Sequence, residues 1–165
     1  MRESRAENRA PAAREAELRR LERAYRRTSY RAQLPLGGEL CLRIDEGHER
    51  LDGRLARRGQ RCWAYLHAVN PQSRQLSAEQ NSRRHGQLAA ELAALRGSPA
   101  GSAPLEILEG ASDADDGDWP AEPGFLVLGL ALERARALAL DFGQLAFVAG
   151  QRGERARLHW SAAPA

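Results

Sequence analysis

The chain has 165 residues, 42% of them hydrophobic and 28% charged, with a mean hydropathy of -0.58. These values describe one ordinary globular domain with a core of its own, and exclude both a membrane-spanning chain and a disordered one. All 25 basic residues are arginine, so a Schiff-base lysine, a lysine-linked pyridoxal enzyme and a phosphate-loop lysine are ruled out.

The net charge of +3 is unevenly spread: residues 1–31 carry ten arginines against five glutamates, and the remainder carries fifteen against seventeen acids. A nucleic-acid domain spreads its positive stripe over the folded body, and this body has none, so nucleic acid is not an expected partner. No stretch is apolar enough for a membrane span or a secretory signal, which makes the expected location cytoplasmic.

Residues 1–10 are expected to be a disordered tail, followed by a single domain over 11–160 and a short tail over 161–165. Leu18, Leu21 and Tyr25 recur at helical spacing, predicting an Arg-rich amphipathic helix over 11–26. Two strands, 29–34 and 39–44, flank Pro35-Leu36-Gly37-Gly38 and read as a hairpin. Leu51 and Leu55 sit one turn apart in a short helix over 48–58 that Gly59 closes. The apolar and aromatic run 62–69 is the expected central strand.

Ser77 and Gln80 form a capping box, starting a helix at Ala78 that runs to about Arg96. A breaker-rich loop follows over 97–104. Then come a short strand over 105–109, an acidic loop over 111–123, a strand over 125–131, a helix over 133–142 stopped by Gly143, and a closing hairpin from 145–149 and 156–160. The order α-β-β-α-β-α-β-β-α-β-β implies an α/β or α+β domain, with helices packed on a mixed sheet.

On the long helix the apolar stripe Leu95, Leu92, Leu88 continues toward the N-terminus as His85 and Asn81. Those two are expected to face the sheet beside the loop 67–73, where a helix N-terminus and strand ends make a ligand crevice. Asn70, Ser73, Asn81 and His85 could line it, or Asn70, Ser73 and Asn81 could serve only as turn and capping residues. In Trp119-Pro120-Ala121-Glu122-Pro123 two prolines fix the backbone around an indole and a carboxylate; Glu122 either works in a site or pairs with an arginine. Gln144, just after Gly143, can reach the same crevice.

The acidic run around Gly117 fails the EF-hand test, since the twelfth place falls on Pro123 where a glutamate is required. Four scattered histidines and two distant cysteines, Cys41 and Cys62, make no metal pattern and suggest buried thiols. No nucleophile elbow is present, and Cys62 and His67, five apart on one strand, point to opposite faces. No cofactor is named by any motif.

Four ordered motifs carry a family resemblance. They are Asn70-Pro71-x-Ser73-x-x-Leu76-Ser77-x-x-Gln80-Asn81, Gly117-Asp118-Trp119-Pro120-x-Glu122-Pro123, Leu126-Val127-Leu128-Gly129 and Phe142-Gly143-Gln144-x-Ala146. Over roughly residues 25–148 the chain resembles the bacterial domain-of-unknown-function 3293 family. The resemblance implies a small cytoplasmic bacterial protein and names no reaction. The chain departs from the family pattern at Val69, Gln80, Gly124 and Leu145, where members commonly carry Trp, Glu, Ser and Asn.

Amides hold ligands by hydrogen bonds and cannot shuttle protons, so the expected function is recognition of a polar small ligand or a partner in the crevice beside Asn70-Pro71. The alternative is a hydrolase or transferase with Glu122 as general base and His85 as acid. A second alternative is an interaction module, for nucleic acid or protein, worked by the Arg-rich helix. Oligomeric state is not encoded in any of these features.

Overall fold

A strand that is apolar on both faces belongs in the middle of a sheet, and two segments of this chain are of that kind. A computed structural model describes residues 9–97 and 103–162. Its helices are α1 (Arg9–Arg26), α2 (Glu49–Arg57), α3 (Ala78–Arg96) and α4 (Leu132–Asp141). Its strands are β1 (Thr28–Gln33), β2 (Glu39–Leu42), β3 (Cys62–His67), β4 (Glu106–Ala114), β5 (Glu122–Leu128), β6 (Ala146–Gln151) and β7 (Arg157–Trp160). A single 3-10 turn, Pro71–Ser73, follows β3.

The strands form one sheet in the order β2-β1-β4-β5-β3-β6-β7. Every pairing is antiparallel, so the class is α+β and the expected mixed sheet is corrected. The reason lies in the crossovers. Helix α3 joins β3 to β4 and α4 joins β5 to β6, and each linked pair runs the same way. Each pair is nevertheless split by one antiparallel strand, β5 in the first case and β3 in the second. From β3 to β6 the chain therefore traces a β-α-β-β-α-β unit of ferredoxin-like topology. The β1–β2 hairpin extends it at one edge and β7 at the other.

Alternation along the central strands builds two cores. Trp63 and Tyr65 of β3 and Leu126 and Leu128 of β5 pack with Leu51 and Leu55 of α2, and Tyr25 of α1 joins them half-buried. Ala64, Leu66, Phe125 and Val127 face the other way, onto Leu88 and Leu92 of α3 and Ala135, Leu138 and Ala139 of α4. The sheet is thus covered on both faces, α1 and α2 on one side and α3 and α4 on the other.

The capping box forms as the sequence predicts: Gln80 N–H donates to Ser77 Oγ at 3.2 Å, and Ser77 N–H donates to Gln80 Oε1 at 3.0 Å. Strand β4 is longer than expected. Residues 111–114, read as loop because they are small and polar, continue the strand because β1 pairs with them, with Tyr30 opposite Ser112 and Thr28 opposite Ala114. Helix α1 starts at Arg9, ahead of its expected start at residue 11. Ser161, expected in a tail, is buried and donates its N–H to Leu145 O at 2.9 Å. The expected tails at 1–8 and 163–165, and residues 98–102 of the expected loop, lie outside the described residues. The thiols are not both buried: Cys41 is exposed and Cys62 half-buried.

Leu92 is fully buried whereas Leu140 is 48% exposed. Leu92→Ala is therefore expected to lower unfolding free energy by about 2–5 kcal/mol, and Leu140→Ala by about 0.5 kcal/mol or less, both read from urea denaturation midpoints.

Candidate functional site

The chain leaves β3 at His67 and turns sharply. Asn70 (φ 47°), Gln72 (φ 54°) and Ser73 (φ 55°) all adopt the left-handed region, which costs non-glycine residues about 1–3 kcal/mol each. For Asn70 the conformation is further disfavoured by the proline that follows.

Several hydrogen bonds hold this loop. Gln72 donates its N–H to Gly143 O at 2.8 Å and its side-chain amide to the same oxygen at 3.0 Å. Gln144 Nε2 donates to Val69 O at 2.9 Å, and Arg84 Nε to Ala68 O at 2.6 Å. Gly143 (φ 66°) is required here, because a Cβ on it would come within 2.9 Å of Pro71 Cβ.

The Asn70 side chain is the hub. Its Oδ1 accepts from Leu76 N–H at 3.0 Å and from Asn81 Nδ2 at 2.8 Å, while its own N–H donates to Asn81 Oδ1 at 3.0 Å. Its Nδ2 donates to Glu122 Oε1 at 2.8 Å, and the same oxygen accepts from Trp119 Nε1 at 2.7 Å. One carboxylate oxygen is thus fixed by two neutral donors. Among the described residues, Oε2 accepts no hydrogen bond.

Glu122 opens into a cavity of about 370 Å³ between the sheet and α1. Its floor is Tyr30, His67, Ser112 and Glu122, residues that share one sheet face; its roof is the α1 stretch that includes Leu21 and Tyr25. Asn70, Ser73 and Gln144 stand at one end, and Asp116, Asp118 and Trp119 at the side.

His67 reaches Ser112 across β5, with its Nε2 at 2.8 Å from Ser112 Oγ. It can do so because its register partner is Gly124, where a Cβ would come within 3.0 Å of His67 Cδ2 and 2.9 Å of Leu66 O. Burial holds the His67 imidazole below its ordinary pKa, against the opposing pull of the Glu122 charge, so the ring is neutral at pH 7. The Tyr25 phenol is pushed up to about 12, chiefly by burial and further by the Glu122 charge.

Of the residues the sequence pointed to, Asn70, Ser73, Trp119, Glu122 and Gln144 meet at the cavity. Asn81 stands behind Asn70 and steadies it. His85 is elsewhere: its ring stacks on Phe125 at 4.4 Å on the α3/α4 face of the sheet, with a buried Nδ1 that lacks a partner. Phe125 and Glu122 are an odd number of residues apart on β5, so His85 and Glu122 lie on opposite faces and form no acid–base pair. Nor, among the described residues, does Glu122 pair with an arginine; an asparagine and a tryptophan hold it instead.

Sequence reasoning missed His67, Ser112, Tyr25 and Tyr30. His67 was legible in part, since it shares the parity of Trp63 and Tyr65. Ser112 was hidden in a segment read as loop. Among the described residues no group of three His, Cys, Asp or Glu side chains is placed to hold a metal ion.

The class of protein is set by these features: a ferredoxin-like α+β domain whose second sheet face is roofed by added helices over a carboxylate-bearing cavity. Residues 66–147 match the model of a family described as protein of unknown function (DUF3293), and through this segment the chain belongs to that family. The matched segment runs from the end of β3 into β6 and carries all the cavity residues named above except Tyr25, Tyr30 and the α1 roof. No curated protein and no solved structure matches the chain.

Two measurements follow from this geometry. Asn70→Gly keeps the left-handed turn and loses the amide, whereas Asn70→Ala loses both. The alanine variant should therefore be less stable than the glycine variant by about 1–2 kcal/mol in urea denaturation.

The second concerns pH. His48, His67, His85 and His159 all have lowered pKa values, in each case mainly through burial. Between the folded values and the ordinary 6.5 the unfolded chain binds more protons, so stability should be full above pH 7 and fall as pH drops through 6.5. Urea midpoints at about pH 7.5 and pH 5.5 should show the loss, and His67→Gln should shrink it.

Proposed function

We propose that the protein binds a small polar organic molecule in the cavity between α1 and the sheet. The observation that carries this reading is Glu122. Its Oε1 is immobilised by Asn70 and Trp119, and Oε2 is left for a ligand. An acceptor held rigid before the ligand arrives saves the ordering cost of binding. The volume lies at the lower end of small-molecule pockets, and aromatic side chains supply the apolar walls such pockets use.

The amides take a different part from the one composition suggested. Asn70 and Asn81 spend their groups on the loop and on one another, and Gln144 commits its Nε2 to Val69 O, so the amides chiefly position the site and leave ligand contact to Glu122, Trp119, Tyr25, Ser73 and Gln144 Oε1.

A catalytic reading has one observation in its favour, the 2.8 Å contact between Ser112 Oγ and the neutral His67 Nε2. A neutral imidazole can take a hydroxyl proton, which suits a hydrolase or transferase better than the Glu122–His85 pair. Labelling by a fluorophosphonate that disappears in Ser112→Ala would favour it.

The interaction-module reading has less support, because α1 uses its charges locally: Arg19 pairs with Glu15, Arg20 with Glu17 and Arg26 with Glu22. Among the described residues no helix is long and apolar enough to cross a membrane.

A thermal-shift screen of small metabolites tests the binding reading. A ligand at a hundred times its Kd adds about 2.7 kcal/mol and raises the Tm by several degrees. The shift should be lost in Trp119→Ala and Glu122→Gln; hits that persist unchanged in both variants would overturn the assignment of the site.

A further inference from the structure

The charge and surface of this cavity also specify a ligand class, an inference that rests on the binding reading above. The floor presents a carboxylate whose Oε2 is unengaged, and His67 beside it is neutral. Tyr25, Tyr30 and Trp119 supply aromatic walls, and Asp116 and Asp118 add two carboxylates at the side. Two arginines also line it, Arg20 and Arg27; both are exposed and both face acids, Arg20 bonding Glu17 at 3.1 Å and Arg27 standing 3.9 Å from Asp116. With Arg20 set against Glu17 and Arg27 against Asp116, Glu122 and Asp118 are left uncompensated among the described lining residues, so an anion entering this space meets net negative charge.

A cation finds the opposite. Aromatic rings attract cations through their negative faces, and a carboxylate partly removed from water attracts them more strongly than one in bulk solvent. The free oxygen is a hydrogen-bond acceptor, which favours an ammonium that keeps at least one N–H over a quaternary one.

We propose that the cavity takes an organic ammonium ion, its N–H donated to Glu122 Oε2 and its alkyl or ring body packed against Tyr25, Tyr30 and Trp119. Tyr25 supports the same polarity. The Glu122 charge adds to burial in keeping its phenol protonated, so the cavity resists a further negative charge at that wall.

The test uses the full chain and three matched probes: phenethylammonium, phenethyl alcohol and phenylacetate, with trimethylated phenethylammonium as a fourth. Isothermal titration should show the ammonium binding about tenfold more tightly than the alcohol, the weight of one partly desolvated ion pair. Phenylacetate should not bind, and the trimethylated probe should be weaker than the parent. Glu122→Gln keeps the acceptor for Asn70 and Trp119 and replaces only the free oxygen, so it should abolish the ammonium preference and bring the ammonium and alcohol affinities to within about twofold of each other. Should that variant fail to fold, Tyr25→Leu on α1 makes the same comparison and should weaken the ammonium more than the alcohol.

Equal affinity for alcohol and ammonium, or binding of phenylacetate, in either case lost in Trp119→Ala, would overturn the ligand class and leave the cavity reading standing. If no probe binds and the metabolite screen gives no hit sensitive to Trp119, both fail together.

Discussion

Everything at the site depends on one shared acceptor. Glu122 Oε1 takes hydrogen bonds from Asn70 Nδ2 and Trp119 Nε1, and so joins the loop after β3 to the loop before β5. Apart from the 3-10 turn at Pro71–Ser73, neither loop has regular structure to hold it in place. The first contains three non-glycine residues in the left-handed region, a strain of several kcal/mol that persists only because its surroundings leave no alternative. Asn70 meets that condition with one side chain: it fixes Leu76 and Asn81 through Oδ1 and Glu122 through Nδ2. Hydrogen bonds to a charged group contribute roughly 1.5–3 kcal/mol, about twice neutral ones, which makes the carboxylate the strongest tie in the set.

The topology explains why such a tie exists where it does. In the β-α-β-β-α-β unit both crossover helices, α3 and α4, lie on one sheet face, and the other face would be open to water. This chain closes most of it with α2, whose Leu51 and Leu55 are buried. Helix α1 closes the rest less completely, contributing Tyr25 to the core and leaving space beneath itself. Polar floor residues such as Ser112 and Glu122 sit under that space, where apolar ones sit under α2. Core and cavity are two outcomes on the same surface, divided by which side chains the strands present.

Much of this was readable from the chain alone. The capping box fixed the start of α3, and the element order followed from hydrophobic period and glycine punctuation. What local pattern could not supply was pairing. Residues 111–114 look like loop because Ser112 and Asp113 have little strand preference; they become strand because β1 supplies hydrogen bonds along that edge. The same blindness hid Ser112 and, with it, the partner of His67. The parallel neighbours suggested by helical crossovers were absent for a related reason: a strand inserted between two others leaves no trace in the period of either. His85 shows a different limit. Its helical spacing correctly put it against the sheet, but spacing does not say which sheet face meets the helix.

The three walls of the cavity differ in how firmly they are held, and this bears on how a ligand would act. The floor belongs to central strands, and the end wall is locked by the Asn70 network. The α1 roof is secured by its half-buried aromatic contact, with Tyr25 packed edge-on to Trp160 at 6.2 Å, by the hydrogen bond that Tyr30 OH donates to Tyr25 O at 3.3 Å, and by the exposed ion pair between Arg26 and Asp45. An exposed pair contributes only about 0.2–1 kcal/mol. A molecule that touches Glu122 and Tyr25 together would bind only with the roof in place, so by linkage it would strengthen the docking of α1 by the same free energy that α1 adds to its affinity. The softest wall is therefore the one that gains most from occupancy, while the rigid carboxylate opposite it needs no help to be ready.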